Sequence, residues 1–391
     1  MSEILLFFNL LNTFFIENKK LDLTETGQQD WDYLYSVADQ NCLIPIVAKS
    51  IQSNNEIEIP QNILEKIENR NLEIVASNLV KINELRNIQS QFNNENIESI
   101  ILKGPGIGES LYGDISLRQF GDLDILVNKD QLKQASEIII KNGYTYSFDL
   151  TEEQKIIYEN SPLYLKDLDL HYPFYNPEKN VHIELHWALM PEKYSFSQDV
   201  DELFDNSRKI EIKEQEFNVL NSEDCFIYLS LHGAKHCWSM LLWIFDIAVL
   251  LTEKKNINWE LVIAKSEELN SKRSVLVSVY LANKFFSCEI PRILKNYFEA
   301  DNTVSMLGDI VIKNFEEGYD FEKIEANNKT FFLRSMEGTI DKFKYLAALI
   351  FKPTIYELEY VALPKGFSFL YFFIRPIRLS RKYISKVFSN D

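Results

Sequence analysis

At 391 residues, with 46% hydrophobic and 25% charged side chains, the chain is long enough for two or three domains and for a large core that needs no covalent staples. Its formal charge of −17, from 58 acidic against 41 basic residues, excludes a general nucleic-acid binder, because phosphate backbones are held by clustered Lys and Arg. Four cysteines (Cys42, Cys225, Cys237, Cys288) without a C-x-x-C pair exclude a zinc ribbon and a disulfide scaffold, and predict reduced thiols in a cytoplasmic protein.

The opening MSEILLFFNLLNTFFIENKK carries Glu3 where a signal peptide wants positive charge, and no small-residue cleavage site follows, so it reads as a buried helix. No apolar run reaches the ~18–20 residues of a membrane span. Residues 1–96 read as a helical region, with apolar residues at three-to-four spacing over 31–51 and 60–94 and Pro60 placed at a first helical turn. Residues 97–220 form a mixed α/β region. Its short β-type runs lie at 97–102, 121–127, 144–148, 164–171 and 181–187, a helix at 131–142 ends at Gly143, and a hairpin at 209–212 and 216–220 closes it. Residues 221–391 return to the helical period, most clearly over 224–236, 240–252, 259–269, 275–286 and 331–350.

Three stretches of the middle region carry chemistry. In ILKGPGIGESLYGD (101–114) an apolar strand runs through Lys103 into Gly104, Pro105 and Gly106 and then a helix-like piece. Glycines at such a turn let backbone N–H groups and the helix N-terminus approach a phosphate, although Glu109 breaks both the Walker and the G-x-G-x-x-G spacings; an ordinary Gly-Pro turn is the competing reading. In LRQFGDLDILV (117–127), Asp122 and Asp124 leave one face of a strand while Leu123, Ile125 and Val127 leave the other. Two anions so close need a cation between them, or one pKa rises. In VHIELHW (181–187), His182, Glu184 and His186 share a face, and Asp167, Asp169 and His171 of KDLDLHY repeat the alternation. These faces either line one cleft or form the solvated side of a half-covered sheet.

In LHGAKHCWSMLLWIFDIAVLL (231–251), His232 and His236 stand four apart on one helix face, but Gly233 replaces the Glu of H-E-x-x-H, so a zinc protease is not indicated. Arg375, Arg378, Arg381, Lys382 and Lys386 give the last helix-like segment a local positive charge. That charge either docks on an anionic partner or membrane surface or pairs with acidic helices of the same chain, and Pro376 is expected to break or restart the helix.

A strand, a glycine turn opening a helix, a D-x-D strand and a later strand with a third carboxylate resemble the nucleotidyltransferase fold of the DNA polymerase β superfamily. The closer resemblance is to an uncharacterised bacterial nucleotidyltransferase-like family with the pieces LKG…LY…LR…GDLDILV, ELHW, HGAKH and WIFDIA. All of these stand here in order across about residues 100–250, roughly two-fifths of the chain. The resemblance implies an α+β fold with a polymerase-β-type core, a mixed sheet with helices, flanked by N- and C-terminal α-helical regions. It implies an enzyme that transfers a nucleoside monophosphate from an NTP to an acceptor hydroxyl or phosphate on a small molecule, peptide or protein, with pyrophosphate leaving. Asp122, Asp124 and Glu184 would hold two Mg²⁺ ions ~3.5–4 Å apart. Lys103 and Gly104 would stand at the phosphate turn, Lys103 replacing as a point charge the serine hydroxyl usual there, with Arg118 reaching into the site. His232, Lys235 and His236 would border the cleft, Lys235 near phosphate, and Asp246 would either accept a proton from the acceptor or pair with a basic neighbour. Loss of either aspartate should leave the metal-free fold as stable as before or slightly more so. The rival reading is a catalytically silent nucleotide-binding or regulatory module that keeps the fold, since function belongs to sites.

Overall fold

Seven strands among the described residues make one mixed sheet: β1 (Ser99–Ile101), β2 (Asp122–Val127), β3 (Thr145–Tyr146), β4 (His171–Asn176), β5 (Val181–His186), β6 (Arg208–Ile212) and β7 (Gln215–Val219). Their order is β3–β4–β5–β2–β1–β7–β6. The β2–β5 and β1–β7 pairs are parallel and the others antiparallel. The structure is a computed structural model that describes residues 2–15, 30–53, 59–147, 170–191, 196, 198–253, 257–316 and 328–388. The expected strand at 164–171 lies outside the described residues save its last two. The strand after it, β4, is not signalled by the sequence.

Among the described residues four helices precede the sheet: α1 (Ser2–Asn12), α2 (Trp31–Gln40), α3 (Ile44–Gln52) and α4 (Gln61–Asn94). The single helix expected over 31–51 is broken at 41–43, because Pro45 in the first turn of α3 cannot follow a continuous helix; its ring would meet the carbonyl four residues back. The chain turns there with Cys42 at φ 58°. Within the sheet region α5 (Pro105–Tyr112), α6 (Leu132–Lys141) and α7 (Val200–Asp205) link the strands.

Alternation along the strands divides the core in two. Leu123, Ile125, Val127, Ile183 and Leu185 leave one face and pack with Ile82, Leu85, Ile88 and Phe92 of α4 and Leu132, Ile138 and Ile139 of α6. The opposite face sends Ile100 and Leu126 into a second cluster, shared by the N-terminal helices and those that follow the sheet. Among the described residues the helices after the sheet are α8 (Ser222–Lys235), α9 (Leu241–Glu253), α10 (Trp259–Glu268), α11 (Lys272–Phe286), α12 (Lys295–Ala300), α13 (Asn302–Glu316), α14 (Asn328–Ser335), α15 (Thr339–Phe351), α16 (Ile355–Tyr360) and α17 (Tyr371–Phe388), of which α16 and α17 add no residue to that cluster. The protein is thus an α+β fold with a mixed sheet and many helices. No helix among the described residues is long and apolar enough to cross a membrane.

Two expectations about the C-terminal region change. The helix expected over 331–350 is two helices, since the Arg273 guanidinium donates to the carbonyls of Arg334 and Met336 and so takes up the end of α14. At α17 the helix continues through Pro376, and the Arg375 and Arg378 guanidinium groups both bind Glu357, which closes a capping box with Thr354 at the start of α16. Internal pairing therefore takes up two of the cations that an anionic partner would meet.

Gly233, inside HGAKH, has a packing role: a Cβ there would lie 2.4 Å from the ring of Trp238, which is fully buried. Gly233→Ala should therefore overpack this corner and cost ~1–3 kcal/mol. A lowered thermal midpoint checks this, and an unchanged midpoint would show that Trp238 can move aside.

Candidate functional site

The register of three strands builds the site. In the parallel β2–β5 pair Asp122 faces His182 and Asp124 faces Glu184, and in the antiparallel β4–β5 pair His171 lies opposite His186. All these side chains leave the face opposite to the α4 packing. Asp122, Asp124 and Glu184 each offer a carboxylate oxygen, and these oxygens lie within 4.8 Å of one another.

β1 turns into α5 beside them. Gly104 has φ 55° and ψ −123°, a conformation open essentially to glycine alone, and Gly106 lets the helix approach to within 3.1 Å of Ile101 and Val219, measured from where a Cβ would stand. Backbone donors at this turn are few: Pro105 has none, and the Gly106 N–H donates to the carbonyl of Lys103. Positive charge in the turn comes from Lys103, whose Nζ is 2.8 Å from Asp124 Oδ1.

Burial alone would raise the pKa of Asp124, but Lys103 and His186 outweigh it and hold the carboxyl well below the usual range. Burial would lower the pKa of Lys103, but the Asp124 charge outweighs it and raises the ammonium's pKa. Asp122 is left with the repulsion: the Asp124 charge, then burial, push it up to about 6. His186 lies 3.3 Å from Asp124 and 3.2 Å from Glu184, contacts that overcome burial and raise its pKa, whereas burial lowers His171 to about 4. The donor set fits a hard divalent cation. It consists of carboxylate oxygens, and neither oxygen of the fully buried Asp124 makes an aligned hydrogen bond in spite of the nearby cations.

These groups open on a cleft of about 690 Å³ between the sheet and α8. Lys103, Gly104, Arg118, Asp122, Asp124, Glu184, His232, Lys235 and His236 all line it. His182 does not; it stacks on Tyr175 at 4.3 Å, further along β5. Asp167 and Asp169 lie outside the described residues. His232 and His236 stand 4.9 Å apart, ring to ring, against Trp243, and burial pushes His232 well below its ordinary pKa, so it is neutral.

Asp246 is the correction. It is fully buried, is absent from the cleft lining, and takes the Arg118 guanidinium through both oxygens (Nη2–Oδ2 2.8 Å) together with the Tyr112 hydroxyl at 2.7 Å. Of the two roles open to it, it plays the partner of a basic neighbour and cannot meet an acceptor. Arg118 reaches the cleft wall with its charge already committed. Asn78 of α4 donates to the carbonyls of Ile115 and Arg118, which fixes the loop between α5 and β2.

Sequence reasoning missed Lys81 and Tyr228. Lys81, buried on α4, donates to Ser77 and stands near Asp122; burial lowers its pKa and Asp122 partly restores it. Tyr228 could have been found, because Tyr228, His232 and Lys235 follow i, i+4, i+7 on one side of a largely apolar helix.

The chain belongs to the family described as "Uncharacterised nucleotidyltransferase", whose model matches residues 27–287. That membership supports nucleotidyl transfer as its general role. No curated protein matches the chain.

The two aspartates should respond oppositely to neutralisation. Asp122 in the folded protein titrates above an ordinary aspartate, so between about pH 4 and 6 the native state binds the extra proton and metal-free stability falls as pH rises through that window. Asp122→Asn should therefore stabilise the fold at pH 8 in chelator by up to ~3 kcal/mol for a pKa raised from 3.8 to about 6, seen as a higher thermal midpoint, and the gain should fade by pH 5. Asp124→Asn should lower the midpoint at pH 8, because it strips buried Lys103 of its counter-ion. Thermal melts of both variants across pH check the pair, and like responses would overturn the division.

Asp246→Asn should cost ~3–5 kcal/mol, the range for breaking one half of a buried ion pair. The double change Arg118→Met with Asp246→Leu should restore part of the loss in thermal melts. Full stability in Asp246→Asn would remove the anchoring role.

Proposed function

We propose that the cleft is a polymerase-β-type nucleotidyltransferase site that moves a nucleoside monophosphate from an NTP to an acceptor hydroxyl or phosphate. The observation that carries this reading is the register of Asp124 beside Glu184, with Asp122 two residues away on the same face, all three turned to a cleft that begins at a glycine turn. Asp122, Asp124 and Glu184 would hold Mg²⁺, two ions in the fullest form. When bound, Mg²⁺ supplies charge neutralisation for the triphosphate and activation of the acceptor oxygen.

The chain's own groups do the rest. Lys103, on a flexible stem at the turn, offers its ammonium to the phosphates once Asp124 has another cation. Lys235 adds a second positive group from α8, and Tyr228, kept protonated by burial, is a hydroxyl donor on the same wall. The acceptor oxygen forms its bond to the α-phosphorus, the bond from that phosphorus to the bridging oxygen breaks, and pyrophosphate departs. The acceptor's proton passes to solvent in the open cleft, since the three carboxylates would be taken up with the metal. A cleft of this size falls in the range for one small ligand, which suits an NTP and a compact acceptor group, and the negative charge of the chain disfavours a long nucleic acid.

A second reading, a nucleotide-binding module without turnover, draws on the scarcity of backbone donors at the Gly104 turn and on the pairing of Lys103 with Asp124. One experiment separates the two. Purified protein is incubated with each radiolabelled NTP and Mg²⁺, with and without cell extract, and pyrophosphate release and label transfer are followed. Turnover is expected with at least one NTP, and Glu184→Gln should lower it ~10²-fold or more, as loss of a main electrostatic stabiliser does. Nucleotide binding without turnover would establish the silent module, and unchanged turnover in Glu184→Gln would dismiss the triad.

A further inference from the structure

We infer that His171, Glu184 and His186 form a second, chemically distinct metal site that takes a borderline transition-metal cation of the Zn²⁺ class beside the all-oxygen site. The inference shares Glu184 with the proposed transfer site but needs neither nucleotide nor turnover.

The geometry comes from the same sheet register. His171 and His186 are direct cross-strand neighbours, with ring centroids 4.9 Å apart, and Glu184 lies two residues from His186 on the same face. His171 Nε2 stands 3.5 Å from Glu184 Oε1, and His186 Nε2 stands 3.2 Å from Glu184 Oε2. The two rings meet different oxygens of Glu184, so a cation held between them would take one nitrogen from each ring and one or both carboxylate oxygens. One ligand atom from each of the three residues falls within 4.8 Å of the others.

A second observation is the state of His186. It is 3% exposed, and neither ring nitrogen makes an aligned hydrogen bond: Nε2 lies 3.3 Å from Asp124 and 3.2 Å from Glu184 without the geometry of one, in a buried setting where poor pairing is costly. A cation between the imidazoles and Glu184 would satisfy it. Two nitrogens and one oxygen suit Zn²⁺ and its neighbours, whereas Mg²⁺ favours oxygens and water, so the two sites sort ions by ligand softness. His171 and Glu184 both face the cleft, which gives an ion a way in and leaves a coordination position open toward bound ligand.

The test is titration of the metal-stripped full chain with Zn²⁺ in the absence of nucleotide, followed by calorimetry, and with Co²⁺, followed by its visible absorption. One equivalent is expected, with a tetrahedral Co²⁺ spectrum. His171→Ala and His186→Ala should each weaken binding by at least the ~10–100-fold that loss of an outer-shell partner causes. Asp122→Asn, which touches only the oxygen site, should keep the equivalent. His171 lies at the cleft surface, so His171→Ala decides the matter even if the His186 variant does not fold. Absence of Zn²⁺ binding by the wild type, or undiminished binding by His171→Ala, would overturn the site. A chain that binds Zn²⁺ in this way but turns over no NTP would overturn the transfer reading alone.

Discussion

Three carboxylates on one face of adjacent strands impose the constraint to which the rest of the structure answers. Like charges side by side in a sheet destabilise it, and here they also lie against a buried core. The protein meets this with cations drawn from different parts of the chain: Lys103 from the turn, His186 from the neighbouring strand and Lys81 from α4. The compensation is uneven. Asp124 receives most of it and stays ionised, while Asp122 keeps a raised proton affinity. Such an arrangement favours binding of a multivalent cation, because the ion removes repulsion that the empty site retains.

The parts of this site that were legible in the sequence are those written in a strand's period of two. Alternation placed Asp122 with Asp124 and Glu184 with His186, and the glycine run marked the turn; sheet order then made neighbours of strands that are some 60 residues apart, which no local pattern encodes. β4 escaped notice because Pro173 sits within it. Its carbonyl accepts from Ser147, so its missing N–H also points toward the two-residue strand β3, where the ladder ends and little is lost. Lys81 escaped because a lysine on a long helix reads as solvated. The signal available was its position: Asn78 and Lys81 interrupt an apolar stripe that runs from Ile74 to Phe92, and polar residues on a buried stripe need partners.

Asp246 shows the opposite limit. An acid in WIFDIA is conspicuous in an apolar helix, and sequence alone left open whether it met substrate or a cation. What settled its place was a tie across 128 residues to Arg118, with Tyr112 stacked on Phe245 beside it. Neither feature has a local signature. Both follow from α5 lying against α9.

The Arg118–Asp246 pair bears on modularity. The loop that forms one wall of the cleft is held by a residue of the C-terminal helices on one side and by Asn78 of α4 on the other. A fragment trimmed to the sheet region would thus carry all three carboxylates while losing both moorings of that wall. The sheet is consequently not a portable cassette: grafting or recombining it would have to bring along α4 and α9. Insertions are better tolerated where no buried ion pair crosses, as in the hairpin turn at Lys213 and Glu214, where both residues already adopt positive φ on the far edge of the sheet and the nearby tie is a long hydrogen bond from Gln215 to the Arg86 carbonyl.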